Sequence, residues 1–417
     1  MKVTEGAAAA DPVSASAPGR WRALALICAA VVLSMTPWFS ATAVLPELSA
    51  RWQMTEIAAS WLTIAVQIGF VTGALALTVT GLADRLPMRA LIAASACAAG
   101  LFNLALLVAP GPVTAIILRA LTGAALAGVY PPAMKLITTW FVTGRGLALG
   151  FVTGALTLGS AFPHLVRSAS AGLDWWIVVL ATSVFALGSA AMLVLMVREG
   201  PHRYAPAAFS LTELRNIVLN KPLMLANTGY FGHMWELYAV WGWFLAFASG
   251  ALAQAGLGLP AMASALTFAV IAAGAVGCVA GGWIADRIGR TATTAIMLAA
   301  SGSCAALIGV LYAGPIWALV VVALIWGFTI VADSAQFSAM VTELSDQRLV
   351  GTALAFQMGV GFALTVISLR LMPAVADWMG GWQWAFVVLV PGPIIGAVAM
   401  IWLRRLPQAS RIGGGRR

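Results

Sequence analysis

The chain alternates between long apolar runs and short breaks that are rich in charge, glycine or proline. A membrane-spanning helix needs about 20 mostly apolar residues, and runs of that length recur from Trp21 almost to the end. Lipid cannot satisfy free backbone groups, and the runs lack the alternation of a membrane barrel. We therefore predict an all-α polytopic membrane protein with twelve transmembrane helices. The predicted spans are 21–46, 58–81, 90–109, 113–138, 147–167, 174–197, 223–249, 261–284, 292–313, 316–340, 351–373 and 382–403.

Composition and charge support this class and predict an orientation. The chain is 61% hydrophobic and 9% charged, against roughly a quarter charged in soluble domains. With both termini cytoplasmic, all but five of the 23 basic residues fall on that side, as the positive-inside rule requires. We expect a bacterial inner-membrane protein with anionic lipids as partners. The net charge of +9 follows from the membrane topology and does not indicate nucleic-acid binding. The five exceptions are Arg51, Arg167 and Arg370 on the opposite side, and Arg119 and Lys135 in helix 4.

Polar segments divide the chain into two halves. The longest internal polar segment, Arg198 to Pro222, lies between predicted helices 6 and 7, which indicates a hinge between two six-helix units. The predicted segments are a disordered cytoplasmic tail at 1–20, an N-terminal six-helix bundle at 21–197, a cytoplasmic linker at 198–222, a C-terminal six-helix bundle at 223–405 and a basic cytoplasmic tail at 406–417.

A charged loop recurs after helices 2 and 8, as TGLADRLPMR (80–89) and GGWIADRIGRT (281–291). The second copy matches G-x-L-A-D-R-x-G-R with Ile for Leu, and the first is degraded. Helix 4 contains R-x-x-x-G as Arg119 to Gly123, and Gly150, Gly154 and Gly159 recur in helix 5. With these motifs the chain resembles the major facilitator superfamily.

This resemblance implies two pseudo-symmetric six-helix bundles that transport a solute by alternating access. It also implies a latch in which the loop carboxylates lie against helix termini and the arginines reach acidic partners. The simpler alternative is that the loops only anchor the cytoplasmic face. The predicted latch residues are Asp84, Arg85, Arg89, Asp286, Arg287 and Arg290.

Two carboxylates, Glu236 in helix 7 and Asp333 in helix 10, lie within predicted spans. Intramembrane ionisable groups are costly and usually face a cavity. His233 and Tyr230 share a helix face with Glu236, and burial favours the protonated carboxyl. We expect Glu236 and His233 to couple protons, unless they only bond neighbouring helices. Asp333 either contributes to coupling or pairs with a base such as Lys135.

Arg119 and several uncharged side chains complete the predicted site. The resemblance links Arg119 to proton movement, and its planar guanidinium suits a carboxylate substrate. The alternative is an arginine that reaches the outer interface. The predicted substrate-binding residues are Arg119, Tyr230, His233, Glu236, Trp38, Thr36, Gln67, Asn227 and Gln357.

The sequence therefore predicts a monomeric secondary transporter that takes up a small organic anion or metabolite with protons. The alternative is proton-antiport efflux of drugs or other amphipathic compounds. The efflux branch of the resembled family typically has Gly-Pro late in helix 5, whereas Phe162 precedes Pro163 here. The chain lacks the GxxxxGK[ST] loop of ATP-driven pumps, and we expect no cofactor or metal. A membrane enzyme and a transporter-like sensor are less favoured, and sodium coupling stays open.

Overall fold

The computed structural model describes residues 18–141, 144–170, 173–202, 214–346 and 349–416, without the side chains of Glu56, Ala83, Asp84 and Arg145. Within these ranges the chain is helical, and no strand occurs. The α-helices are α1 (Arg20–Met35), α2 (Ser40–Ala43), α3 (Leu45–Trp52), α4 (Glu56–Thr80), α5 (Leu82–Arg85), α6 (Met88–Leu104), α7 (Pro112–Leu126), α8 (Tyr130–Thr138), α9 (Arg145–Ala169), α10 (Trp176–Met196), α11 (Leu214–Leu219), α12 (Lys221–Gln254), α13 (Pro260–Ile288), α14 (Arg290–Leu307), α15 (Ile316–Ala332), α16 (Ser334–Leu344), α17 (Val350–Trp378) and α18 (Pro391–Arg405). Short 3₁₀ helices occupy Ala105–Val108, Ala385–Leu389 and Pro407–Gly415.

The helices coincide with the twelve predicted spans, so the all-α polytopic class is confirmed. Ten helical segments of the described chain are long and apolar enough to cross a membrane. The first and ninth predicted spans are not among these ten. The first is divided into α1, which has 16 residues, and the short α2, and the ninth is α14. We call the membrane face with the loops at 82–89 and 286–291 the basic face.

Three of the predicted spans are interrupted. The first span breaks between Met35 and Ser40 around Pro37, which has no backbone N–H to donate. The fourth breaks between α7 and α8, just before Pro131 and Pro132. The tenth breaks at Asp333, where α15 ends and α16 begins. The break in the first span directs the carbonyl groups of Pro37 and Trp38 toward Arg119 on α7.

The two halves of the chain meet along two helix pairs. α9 packs along α13, and α4 packs along α17, so each pair joins one helix from before residue 203 with one from after 213. Glycines allow the first pair to approach closely. A Cβ added at Gly154 would lie 2.9 Å from the carbonyl oxygen of Ala275, closer than real Cβ contacts.

The termini and the linker depart partly from the predicted boundaries. Residues 1–17 of the predicted tail and 203–213 of the predicted linker lie outside the described residues. The helix α11 forms inside the predicted linker, and α12 begins at Lys221, two residues earlier than expected. The 3₁₀ segment of the C-terminal tail packs against the fold, and its Ala409 and Ile412 are fully buried.

Candidate functional site

The break in the first span brings Trp38 and Phe39 to the boundary between the halves. Both side chains are buried. The hydroxyl of Thr36 donates to the carbonyl of Thr182 on α10 at 3.0 Å, and that of Ser40 donates to Oδ1 of Asn103 on α6 at 2.6 Å. Thr36, a predicted substrate-binding residue, therefore anchors the break to a neighbouring helix.

Arg119 on α7 is fully buried and supports the same break. A buried guanidinium is costly unless its donors find partners, and every described partner of Arg119 is neutral. Its acceptors are the carbonyl oxygens of Pro37 (2.8 Å), Trp38 and Leu62 (3.3 Å), Oδ1 of Asn103 (3.1 Å) and Oγ of Ser40 (3.2 Å). The contacts place Arg119 among backbone groups of the first and second spans.

Asn103 connects Arg119 to α10 and was not predicted. Its Oδ1 accepts from Arg119 and Ser40. Its Nδ2 donates to Oγ of Ser183 at 2.9 Å and to Oγ1 of Thr182 at 3.1 Å. The signal available in the sequence was a single amide inside an apolar span, which is the same signal that singled out Gln67.

Six aromatic side chains meet between the halves, and we call them the aromatic cluster. Ring centroids lie 4.8 Å apart for Phe70 and Phe362, 5.8 Å for Trp38 and Tyr238, and 6.0 Å for Phe39 and Trp241. Each of these pairs crosses from one half to the other. The aromatic cluster consists of Trp38, Phe39, Phe70, Tyr238, Trp241 and Phe362, all of them buried.

Three polar groups are buried in and beside the aromatic cluster without hydrogen-bond partners. Neither Nε2 nor Oε1 of Gln67 bonds to any group in the described chain, and the same holds for the indole N–H groups of Trp38 and Trp241. Gln67 lies on one face of α4 with Phe70 of the cluster and Thr63. Because buried polar groups are nearly always bonded, these three are available to hydrogen-bond a ligand or water.

An acid–base pair lies nearer the basic face. Nδ1 of His233 on α12 is 2.9 Å from Oδ1 of Asp333 at the break of the tenth span, and each side chain is 1% exposed. Nε2 of His233 has no described hydrogen-bond partner. Asp333 thus pairs with His233. Tyr230, one turn earlier on α12, has its ring 6.0 Å from that of His233.

Glu236 lies within the C-terminal half. Its Oε1 accepts from the indole N–H of Trp326 on α15 at 2.7 Å, and its Oε2 accepts from the hydroxyl of Ser301 on α14 at 2.6 Å. The carboxylate is 1% exposed, and it joins three helices of the same half. This geometry matches the helix-bonding alternative for Glu236.

Two further predicted residues are buried and only partly bonded. Oε1 of Gln357 on α17 accepts from Ser338 at 3.2 Å, whereas its Nε2 has no described partner. Nδ2 of Asn227 on α12 lies 3.9 Å from the sulfur of Met224, and its Oδ1 has no described partner. Both residues stay candidates for the wall of a substrate pathway.

The second charged loop places its residues at a helix terminus and beside a carboxylate. A Cβ at Gly146, in the first turn of α9, would lie 4.0 Å from Oδ1 of Asp286. Arg287 stacks on Trp283, with its guanidinium carbon 3.2 Å from the ring centroid. Arg290 pairs with Glu343 of α16 at 3.0 Å.

The first loop is less completely described. The side chain of Asp84 lies outside the described set, and Arg85 is exposed. The backbone N–H of Arg89 donates to Oε1 of Glu199 at 2.9 Å. Arg89 therefore contacts the end of the sixth span within its own half, and the latch stays a prediction.

Together these observations describe an integral membrane protein of the transporter type, with two helical halves around a buried aromatic and polar interface. The sequence model of the Major Facilitator Superfamily matches residues 27–367 and 260–416, and the chain belongs to that family. Two solved structures share its fold. Both are of a bacterial homolog of the human lysosomal transporter Spinster, in inward-facing unoccupied and occupied conformations. Their TM-scores are 0.67 and 0.68 at 14% identity, over 94% of this chain and 98% of theirs.

Curated relatives match over shorter stretches. The puromycin resistance protein pur8 of Streptomyces alboniger is 32% identical over 162 residues, which are 38% of this chain and 32% of that protein. The MFS-type transporter pytF of Aspergillus terreus is 28% identical over 174 residues, 41% of this chain and 56% of that protein. The match thus spans about a third to a half of these relatives' length.

Proposed function

We propose that this protein is a proton-coupled secondary transporter that exports amphipathic compounds with aromatic rings. The observation that carries the proposal is the set of unpartnered polar groups on Trp38 and Trp241 in the aromatic cluster and on Gln67 beside it. Stacked rings bind aromatic ligands, and an amide with two indole donors can hydrogen-bond a polar substituent. The site belongs to both halves, as alternating access requires.

In the conformer described, the rings of the aromatic cluster contact one another across the boundary. A substrate would therefore enter when the halves separate and would replace ring–ring contacts with ring–substrate contacts. Aromatic pairs contribute about 0.5–1.5 kcal/mol each beyond area burial. When the halves separate, the free energy of the ring–ring contacts is lost, and contacts with the bound substrate offset this loss. Substrate binding therefore favours the separated conformation.

Proton coupling is assigned to His233 and Asp333 in this proposal. The two side chains are buried together, and Asp333 lies where α15 gives way to α16. Protonation of the carboxyl would remove the charge that attracts a protonated imidazole and so loosen α12 from the broken helix. Tyr238 follows His233 by five residues on α12, about 8 Å along the axis at 1.5 Å per residue. The proton pair and the aromatic cluster thus share a helix.

The choice of substrate differs from the one that the sequence favoured. A small organic anion would need a cation with uncommitted donors in the site, and the guanidinium of Arg119 donates to backbone and neutral side-chain acceptors. The aromatic cluster suits neutral or cationic ring systems, because the faces of aromatic rings attract cations. The name of the puromycin resistance protein supports export as the direction.

The test measures the internal pH of proteoliposomes that contain a trapped pH-sensitive dye. Tetraphenylphosphonium, ethidium and puromycin are added outside in turn, with benzoate as the anion and protein-free vesicles as the blank. Antiport predicts alkalinisation of the lumen by the aromatic compounds. Acidification by benzoate beyond the blank, with no response to the aromatic compounds, would favour anion uptake instead.

Two carboxylate variants assign the coupling in the same assay. Asp333→Asn should abolish the pH signal while direct binding of tetraphenylphosphonium persists. Glu236→Gln is the matched control and should keep the signal, because Glu236 bonds Trp326 and Ser301 within one half. Loss of the pH signal in Glu236→Gln with full retention in Asp333→Asn would instead assign proton coupling to Glu236, as the sequence analysis predicted.

A further inference from the structure

Two hollows lie side by side on the outer surface of α18 at the basic face, and the second continues onto α14. One has a volume of about 310 Å³ and is lined by Val398, Ile401, Trp402 and Arg405. The other has a volume of about 360 Å³ and is lined on the α14 side by small residues that include Ala292, Ala295 and Ala299. Ile401 lines both hollows and separates them.

Each hollow is an apolar groove with one arginine in its lining. Arg405 lines the first and Arg404 the second, and both are in the last turn of α18. From Thr291 to Ala299 the second hollow extends about 12 Å along α14, at 1.5 Å per residue. As far as the structure describes them, the lining residues include no carboxylate. The surface is therefore cationic at the membrane face and apolar toward the bilayer interior.

Neighbouring contacts hold the charged end in place. Nη1 of Arg404 lies 3.3 Å from the hydroxyl of Thr291. Nζ of Lys221, at the start of α12, lies 4.3 Å from the centre of the Trp402 ring. Lys221 thus adds a third positive charge beside Arg404 and Arg405, and an indole ring lies at the depth where tryptophan usually meets lipid headgroups.

We propose that one anionic phospholipid binds across Ile401, with its phosphate at Arg404 and Arg405 and one acyl chain in each hollow. The charge complementarity argues for an anionic headgroup, since guanidinium groups bind phosphate through charge-assisted hydrogen bonds. The two apolar grooves argue for a lipid with two chains and against a free phosphate. The site is on the surface of the C-terminal half, away from the aromatic cluster, so the proposal does not depend on the identity of the substrate.

Native mass spectrometry of the detergent-purified full chain tests the proposal. The delipidated protein is offered equal amounts of phosphatidylglycerol and phosphatidylcholine, and the retained lipid adducts are compared. The wild type should retain phosphatidylglycerol at least fivefold better than phosphatidylcholine. The double substitution Arg404→Gln/Arg405→Gln should reduce this preference to less than twofold, whereas Arg411→Gln, outside both hollows, should leave it unchanged.

A second variant separates a seated lipid from electrostatic attraction alone. Ala299→Phe fills the α14 hollow from an exposed position and keeps every charge. It should lower phosphatidylglycerol retention severalfold, and inorganic phosphate at millimolar concentration should not displace the lipid. An unchanged preference in the double arginine variant, or equal retention in Ala299→Phe, would overturn the proposed site.

Discussion

Gln67 is a buried amide without a partner, and its replacement separates a structural role from a ligand-binding role. An unsatisfied buried amide costs about 1–3 kcal/mol, so Gln67→Leu should leave the free energy of unfolding unchanged or raise it. Binding of puromycin should nevertheless weaken by roughly tenfold, because one hydrogen bond to the ligand is lost, whereas binding of tetraphenylphosphonium, which has no hydrogen-bonding group, should stay the same. Thermal unfolding and equilibrium binding of the purified protein measure the two effects.

Asn103 provides the contrasting control, because its amide is fully used. Asn103→Leu removes bonds to Ser40, Arg119 and Ser183 and leaves their polar atoms buried. The melting temperature should therefore fall by several degrees. If Gln67→Leu lowered the melting temperature as much and left binding intact, Gln67 would be a structural residue.

The substitution Arg119→Lys tests whether this buried cation positions a helix or takes part in proton coupling. Lysine keeps the charge but cannot reach the carbonyls of Pro37, Trp38 and Leu62 together, because its ammonium is a single point. Arg119→Lys should lower the melting temperature and weaken substrate binding through displacement of Trp38. The ratio of protons to substrate in proteoliposomes should stay the same. A changed ratio with normal stability would support the coupling role that the sequence resemblance implies.

At the scale of helices, sequence patterns located the elements better than their interruptions. Apolar length and loop charge placed all twelve spans, because both follow from the bilayer alone. The break at Pro37 has a local cause, whereas the break at Asp333 has no proline, and Asp333 pairs there with His233. The partners of Arg119 and the aromatic cluster were missed for the same reason. Their residues come from several helices, and only the packed fold brings them together.

The C-terminal 3₁₀ segment, Pro407–Gly415, is hydrogen-bonded to one carboxylate of α16. Oε1 of Glu343 accepts from Arg290, and Oε2 accepts from the backbone N–H of Gly413 at 3.0 Å. Glu343→Gln places an amide N–H against one of these two donors, so at least one bond is lost. Trypsin should then cleave at Arg411 several times faster, since cleavage follows the population of the open segment.

The control for this prediction is Glu199→Gln at the other half of the basic face. Glu199 accepts from the backbone N–H of Arg89 and does not contact the C-terminal segment. Its substitution should leave cleavage at Arg411 unchanged. Equal acceleration in both variants would indicate general loosening of the basic face and would contradict a specific role for Glu343.

At the scale of the whole molecule, the proposed alternating access requires the contact between α9 and α13 to open and close. Cys278 on α13 lies in this contact. Its sulfur is 3.8 Å from the hydroxyl of Thr157 on α9 and 3.6 Å from the carbonyl of Val331 on α15. The thiol is buried in the conformer described. Its rate of reaction with a maleimide therefore reports how often the two halves separate at this point.

Gly154→Ala should shift the molecule toward the separated state, because its Cβ would lie 2.9 Å from the carbonyl of Ala275 in the other half. In a chain with the other three cysteines replaced by serine, maleimide labelling of Cys278 should accelerate roughly tenfold, equivalent to about 1.4 kcal/mol. Gly100→Ala is the matched control. Its Cβ would lie 3.1 Å from the carbonyl oxygen of Ser183 within the N-terminal half, so any loss of packing stays in that half and labelling should remain slow. Equal acceleration by both substitutions would mean that Cys278 reports loss of packing, and the rocking of the halves about α9 and α13 would lose its support.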